Sequence, residues 1–222
     1  MDSYRKTAVI VGLLFIIATA STLLSWFGFL SIYDANYLTV VASNEIPMII
    51  GVLLFLTLAA SAVGIPIAMY PILRKYNESL ALGYFAARIF EAVFVVFGVV
   101  NLVAILSLSQ EYVNATAPVV SYFETSGALL LAAFDWSSVL LDIPFVLSTL
   151  ILNYLLYKSK LIPKWLSLWG LVGAIVYFVY IFSLLFIPLE LMEIFAAPLG
   201  IQEMALAVWL IGKGFNLDTI ED

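Results

Sequence analysis

The sequence predicts an all-α membrane protein, with six transmembrane helices in one bundle and both termini in the cytoplasm. The first observation is composition: 64% of the 222 residues are hydrophobic, 11% are charged and the mean hydropathy is +1.13. A soluble domain has about 25% charged residues, so this chain has too little polar surface to cover a water-soluble core. The second observation is a series of long apolar runs, and the third is the alternating distribution of Lys and Arg between them.

Six apolar runs have about the length of a helix that crosses a bilayer. The predicted spans cover residues 7–30, 46–70, 80–108, 127–157, 161–187 and 197–212. The connections between them are short, and none is long enough to fold alone. We therefore expect a single polytopic membrane domain over residues 1–222.

The first two spans carry local signals of their boundaries and shape. The first follows Arg5 and Lys6. A cleaved signal peptide is the alternative for this span, because small residues at 18–20 resemble a cleavage site, but the apolar run continues to Leu30. The second span contains Pro66, which should kink it near the cytoplasmic end.

The last two spans have interfacial markers. Trp165 and Trp169 lie near the start of the fifth span, where Trp is typical of an interfacial anchor. The segment 188–198 combines acids with apolar residues, which predicts a short helix at the outer interface before the sixth span.

Lys and Arg predict the orientation. Eight of the nine fall in four segments that must share one side: Arg5, Lys6, Arg74, Lys75, Lys158, Lys160, Lys164 and Lys213. The intervening connections hold no base and the acids Asp34, Glu45, Glu111, Glu124, Glu190 and Glu193. Because cytoplasmic loops are rich in Lys and Arg, both termini are expected in the cytoplasm of a cell membrane, with an acidic outer surface.

Composition also excludes several chemistries. The chain has no His and no Cys, so it lacks the usual ligands of zinc, haem and iron–sulfur clusters and the His base of serine catalysis. A pI near 4.5 does not suit a nucleic-acid partner. We expect no cofactor. A carboxylate site for Mg²⁺ or Ca²⁺ is chemically allowed, but no spacing assigns a metal. The bilayer is the expected partner, and small residues four apart allow a homo-oligomer.

Three stretches mix interfacial charges, Pro and Trp in a set order. They are YPILRKYNESLALGYFAARIFEAVF at 70–94, LYKSKLIPKWLSLWGLVGA at 156–174 and PLGIQEMALAVWLIGKGF at 198–215. Together they resemble the multi-pass membrane proteins of domain of unknown function 4386. The resemblance implies a six-helix prokaryotic membrane protein and no particular activity. Arg88, Glu91 and Glu203 lie inside these stretches, whereas Asp135 and Asp142 lie outside them.

Five ionisable residues lie within the predicted spans and are the candidate ligand or ion site: Arg88, Glu91, Asp135, Asp142 and Glu203. Each costs about 2.5–3.5 kcal/mol at the centre of a transmembrane helix, so we expect them to face protein or water. Helical periodicity places polar neighbours on the same faces, and these form a secondary polar lining: Tyr84, Asn101, Ser138, Thr149 and Asn153.

The rise of about 1.5 Å per residue puts Glu91, Asp142 and Glu203 at a similar depth. The predicted contact joins Arg88 to Asp142, Glu203 or both, since a guanidinium group can bridge two carboxylates. A pair between Arg88 and Glu91, three residues apart, is also geometrically allowed.

The charge balance favours a functional site over a purely structural network. One Arg faces four acids, and a low-dielectric interior does not hold such a surplus. Either some acids carry protons, or a cation or water fills the site. We therefore expect the protein to bind or transport a small ligand, proton or cation. A structural or regulatory role, in which the charges only hold helices together, is the alternative. A carboxylate-dependent intramembrane enzyme is the second alternative.

Overall fold

The computed structural model describes residues 3–116, 119–184 and 192–216, and all regular structure in these ranges is helical. The helices are α1 (Ser3–Phe29), α2 (Tyr37–Ser43), α3 (Glu45–Leu73), α4 (Glu78–Tyr112), α5 (Val120–Ser159), α6 (Lys164–Leu184) and α7 (Met192–Gly212), with a 3₁₀ turn at Leu30–Tyr33. Within the described ranges, six of them are long and apolar enough to cross a membrane, all except α2. The chain is therefore a multi-pass membrane protein, as its composition predicts.

Each predicted span falls on one of the six long helices, and the differences lie in the connections. The connection predicted at 31–45 contains the 3₁₀ turn and the short helix α2. Helix α5 has 40 residues and begins at Val120, seven residues before the predicted span. The interfacial helix predicted over 188–198 lies partly outside the described residues, and from Met192 onward the chain already belongs to α7.

The six long helices form a closed ring in chain order. Each packs against the next long helix, and α1 also packs against α7. Glycine permits the closest approaches: a Cβ on Gly28 would collide with the Pro47 carbonyl oxygen and lie within 3.0 Å of the Gly51 backbone. At the α1–α7 contact, a Cβ on Gly12 would lie 2.8 Å from the Ala207 carbonyl oxygen. These small residues let backbones meet directly, as is common between transmembrane helices.

Contacts between segments gather the basic residues at one end of the bundle. Lys75 Nζ, in the α3–α4 turn, donates to the Tyr4 hydroxyl group at 2.8 Å. After α7, the Asn216 amide donates to the Leu161 carbonyl oxygen in the α5–α6 turn at 2.8 Å. The N-terminus, both turns and the end of α7 therefore share one end, which we call the basic end. This agrees with the even number of spans predicted from Lys and Arg.

Arg5 joins the first helix of the ring, α1, to the last, α7. Its guanidinium group donates to the carbonyl oxygens of Leu210 at 3.1 Å, Ile211 and Gly212 at 3.2 Å. These carbonyls belong to the last turn of α7, which has no intrahelical donors left, and a cation is favourable at the negative end of a helix. Gly214, with φ of +80°, then turns the chain in the left-handed region that suits glycine.

Three apolar clusters fill the interior. The first lies toward the basic end and joins all six long helices. The second lies toward the opposite end and joins α1, α2, α3 and α4 with Phe134 of α5. The third is built from α5, α6 and α7 around Tyr177 and Leu199. Away from the basic end, the buried core is thus divided into two separate clusters.

Substitution of Gly28 tests the close contact between α1 and α3. We expect Gly28→Ala to destabilise the protein by about 1–3 kcal/mol, since an added methyl group forces tightly packed backbones apart. Gly200→Ala is the matched control, because a Cβ there has no neighbour within 4 Å among the described residues and Ala favours the helix by about 0.5–1 kcal/mol. The free energy of unfolding in detergent measures both effects. Equal effects of the two substitutions would contradict the close packing of Gly28 against α3.

Candidate functional site

The centre of the site is an ion pair within α4. Arg88 Nη1 lies 2.8 Å from Glu91 Oε2, three residues further along the helix. Each residue is only 3% exposed. Glu91 lies about one helical turn from the midpoint of α4, so neither side chain is close to an end of the helix. Both charges are therefore buried in the bundle and compensate each other.

The position of the pair follows from the buried face of α4. The Asn77 side chain caps this helix by accepting from the Leu80 amide at 2.9 Å, as expected of an N-cap residue. Tyr84, Arg88 and Glu91 lie on the same buried face as the apolar residues that follow them along α4. The face that packs into the ring thus carries the charges inward, and lipid meets the opposite, apolar face.

Several groups surround the guanidinium group. Arg88 Cζ lies 5.7 Å from the centroid of the Phe145 ring of α5, a distance that permits a cation–π interaction. Tyr84 is 1% exposed, and its hydroxyl group has no hydrogen-bond partner in the described ranges. The same holds for Arg88 Nε. The pair therefore leaves buried polar atoms available beside it.

Two more carboxylates approach the pair from other helices. Glu203 of α7 interacts electrostatically with Arg88, Glu91 and Tyr84. Asp142 of α5 interacts with Glu91, and the Tyr177 hydroxyl group of α6 lies near it. Each lies within about one turn of the midpoint of its helix. Both side chains are half-buried. We call Arg88, Glu91, Asp142 and Glu203 the central cluster.

The contact predicted between Arg88 and a carboxylate of another helix is not the one observed. Within the described residues, the one ion pair closer than 4.0 Å joins Arg88 to Glu91, which is the partner that sequence spacing also allowed. Glu203 is near enough to interact with Arg88, whereas Asp142 reaches the cluster through Glu91. A partner on the same helix is favoured because its position needs no alignment between helices.

Asp135 lies apart from the central cluster. Its side chain is exposed, and Oδ1 accepts from the Tyr33 hydroxyl group at 2.9 Å. The seven residues that separate it from Asp142 correspond to about 10.5 Å along the helix. This carboxylate therefore joins the end of the 3₁₀ turn to α5, toward the end of the bundle opposite the basic end.

The secondary polar residues are mostly satisfied by their own helices. Asn101 Nδ2 donates to the Phe97 carbonyl oxygen at 2.8 Å, Ser138 Oγ to that of Phe134 at 3.1 Å, and Asn153 Nδ2 to that of Thr149 at 3.0 Å. Such bonds to the carbonyl four residues earlier are a local solution for polar groups in a helix. The hydrogen-bond donors of these three side chains are therefore satisfied without a ligand.

Gln202 is a buried polar residue that is not among the predicted site residues, because its side chain is not ionisable. It is fully buried, and Nε2 donates to Asn153 Oδ1 at 3.3 Å and to the Leu166 carbonyl oxygen at 3.2 Å. Gly170 makes this possible, since a Cβ there would collide with the Asn153 carboxamide. A neutral amide at the centre of an apolar span was the available signal. Gln202 joins α5, α6 and α7 next to Glu203.

The carboxylates are not arranged as metal ligands. Among the described residues, no three Asp or Glu side chains converge closely enough to hold one metal ion. Hard divalent cations such as Mg²⁺ and Ca²⁺ require several oxygen ligands at once. The central cluster instead offers two half-buried carboxylates beside an ion pair.

Comparison with known proteins identifies the family. The sequence model of a domain of unknown function (DUF4386) matches residues 10–214, nearly the whole chain, and the protein belongs to this family. No significant match was found among curated proteins or among solved structures. The matched range includes every member of the central cluster and Asp135.

Comparison of a single with a double substitution tests the buried pair. We expect Glu91→Gln to destabilise the protein by about 3–5 kcal/mol, because it leaves the Arg88 charge buried without its partner. The double substitution Arg88→Met with Glu91→Leu should recover most of this loss, since it removes both charges and conserves apolar volume. The free energy of unfolding in detergent measures the stability of each variant. If the double variant is no more stable than Glu91→Gln, an unpaired buried charge on Arg88 is not the cause of the loss.

Proposed function

We propose that this protein binds a proton, or a small monovalent cation in its place, at Asp142 and Glu203, and that it transports this species across the cell membrane. In this proposal the basic end faces the cytoplasm, in accordance with the distribution of Lys and Arg. The central cluster is then the site at mid-membrane, and the opposite end is the outer side.

The charge balance of the central cluster supports the proposal most directly. Arg88 and Glu91 form a 2.8 Å ion pair and together carry no net charge. Asp142 and Glu203 have no base of their own within 4.0 Å among the described residues. Two ionised carboxylates near the centre of a bilayer are costly, so an uptake of positive charge stabilises them. A proton is the smallest cation that meets this need, and it requires no set of metal ligands.

Differences in burial separate the roles of these residues. Arg88 and Glu91 are each 3% exposed, which suits a fixed pair that keeps its charges. Asp142 and Glu203 are less completely enclosed than this pair, and in this proposal they exchange the bound species. Arg88 is thus the fixed counter-ion that Glu91 holds in place. Asp142 and Glu203 are the exchanging groups, on helices α5 and α7.

Tyr177 and the division of the apolar core also support exchange at Asp142. The Tyr177 hydroxyl group lies near the carboxylate and can serve as its hydrogen-bond partner in either protonation state, since a hydroxyl group both donates and accepts. Away from the basic end, the apolar core consists of two separate clusters, one formed mainly by α1–α4 and the other by α5–α7. A path between them would lead past Asp135 toward the outer surface.

The geometry favours the binding proposal over the two alternatives. The one ion pair closer than 4.0 Å among the described residues lies within a single helix, so that ion pair does not itself join two helices. The apolar clusters and glycine contacts already join the helices. A carboxylate enzyme of the aspartic-protease kind needs two carboxyl groups about 3 Å apart. Within the described residues, no two carboxyl groups share a hydrogen bond.

Infrared spectroscopy of the purified protein tests the proposal. We expect the wild type to show a carboxylic-acid C=O band that changes as pH or monovalent cation concentration is varied. Asp142→Asn should remove part of this band and Glu203→Gln another part, because each replaces an exchanging carboxyl group by an amide of similar shape. In liposomes, each substitution should lower proton or cation flux at least about tenfold, the effect expected when one proton-transfer group is lost.

Asp135→Asn is the matched control. It removes a carboxylate from the same helix as Asp142, but from an exposed position outside the central cluster. We expect it to keep the pH-dependent band of the wild type. If the three variants behave alike, or if no band responds to pH or cations in the wild type, the central cluster is not an exchange site.

A further inference from the structure

A crevice of about 450 Å³ opens at the basic end, where the α5–α6 turn meets the end of α7. Its charged lining consists of Lys160, Lys164 and Lys213. The apolar lining includes Leu161, Trp209 and Phe215. The crevice is distant from the central cluster, since Lys213 lies ten residues beyond Glu203 on the same helix and its following turn, which is about 15 Å.

Positive charge dominates this crevice. All three lysines are exposed, and none forms an ion pair with an acid in the part of the chain that the structure describes. Lys164 is also the first residue of α6, and the N-terminus of a helix adds partial positive charge and free amide groups. An anion with several acceptor oxygens, such as a phosphate group, meets complementary charge here.

The floor of the crevice is apolar. Leu161 is fully buried, Phe215 is 6% exposed and Trp209 is half-buried. A free phosphate ion would gain nothing from these side chains. A phospholipid joins a phosphate group to an apolar body, and Trp side chains commonly lie at the level of lipid headgroups. The combination of a basic rim and an apolar floor therefore favours a lipid over a soluble anion.

The backbone fixes the shape of the crevice in advance. The hydrogen bond from the Asn216 amide to the Leu161 carbonyl oxygen, 2.8 Å long, ties its two walls together. Lys160 has φ of +56°, an uncommon left-handed conformation for a residue other than glycine. Lys160 is the residue that caps the end of α5, and many helices end in a left-handed residue. Gly214 provides the second left-handed position.

We propose that this crevice binds the headgroup of an anionic phospholipid from the adjacent leaflet. Basic pockets between transmembrane helices are suited to such headgroups. The phosphate oxygens lie among Lys160, Lys164 and Lys213, and the apolar part of the lipid contacts Trp209 and Phe215. This lipid site does not depend on the function of the central cluster.

Native mass spectrometry of the full-length protein tests the lipid site with phosphatidylglycerol as the probe. The triple variant Lys160→Asn, Lys164→Gln, Lys213→Gln removes the three charges, and Asn tolerates the left-handed conformation at position 160. We expect its retention of phosphatidylglycerol to fall at least about tenfold, since each Lys near an anionic lipid contributes substantially to binding. Retention of phosphatidylcholine should be weak for both proteins and unchanged by the substitutions.

A second triple variant is the matched control. Arg74→Gln, Lys75→Gln and Lys158→Gln remove the same number of charges from exposed positions at the basic end that do not line the crevice. This variant should retain phosphatidylglycerol within about twofold of the wild type, because none of these three side chains lines the crevice. Equal losses in the two triple variants would contradict a specific site. Displacement of the lipid by millimolar inorganic phosphate would contradict the lipid assignment.

Discussion

The cost of placing polar groups in the centre of a bilayer governs this structure. No water is available there, so each backbone and side-chain polar group needs a partner within the protein. Helices satisfy the backbone, and side chains such as Asn101 and Ser138 return their hydrogen bonds to nearby carbonyls. Arg88 cannot be satisfied in this way, because it carries a charge. Its pairing with Glu91 determines which other carboxylates at this depth remain without a base.

The fold was predictable because lipid imposes simple requirements on sequence. Each span must be apolar over about 20 residues, and the basic residues must collect at one end, which contacts of Lys75 and Asn216 support. The short helix α2 and the early start of α5 at Val120 were not predicted. These segments lie near the interface, where water can satisfy the backbone and composition constrains the helix ends less tightly.

The site was predictable in its depth and less so in its pairing. Helical rise predicts Glu91, Asp142 and Glu203 at one level, and Asp142 and Glu203 both lie near enough to interact electrostatically with Glu91. The sequence could not choose a partner for Arg88, since Glu91 and residues of two other helices were all within reach before the rotation of each helix was known. Gln202 escaped notice because it is uncharged, although its burial and its bonds to α5 and α6 satisfy the same requirement.

Helix α7 connects the two proposed sites, the central cluster and the basic crevice. Near its midpoint it carries Glu203, one of the carboxylates without a base, and at its end it leads to Lys213 in the basic crevice. Arg5 holds its last carbonyls, and Gly12 lets α1 pack against its backbone. The basic half of α7 is thus fixed to α1, whereas its other half packs against α6 and α5 in a separate apolar cluster. Glu203 therefore lies between two halves of α7. One half is held to α1 at the basic end, and the other belongs to a different apolar cluster.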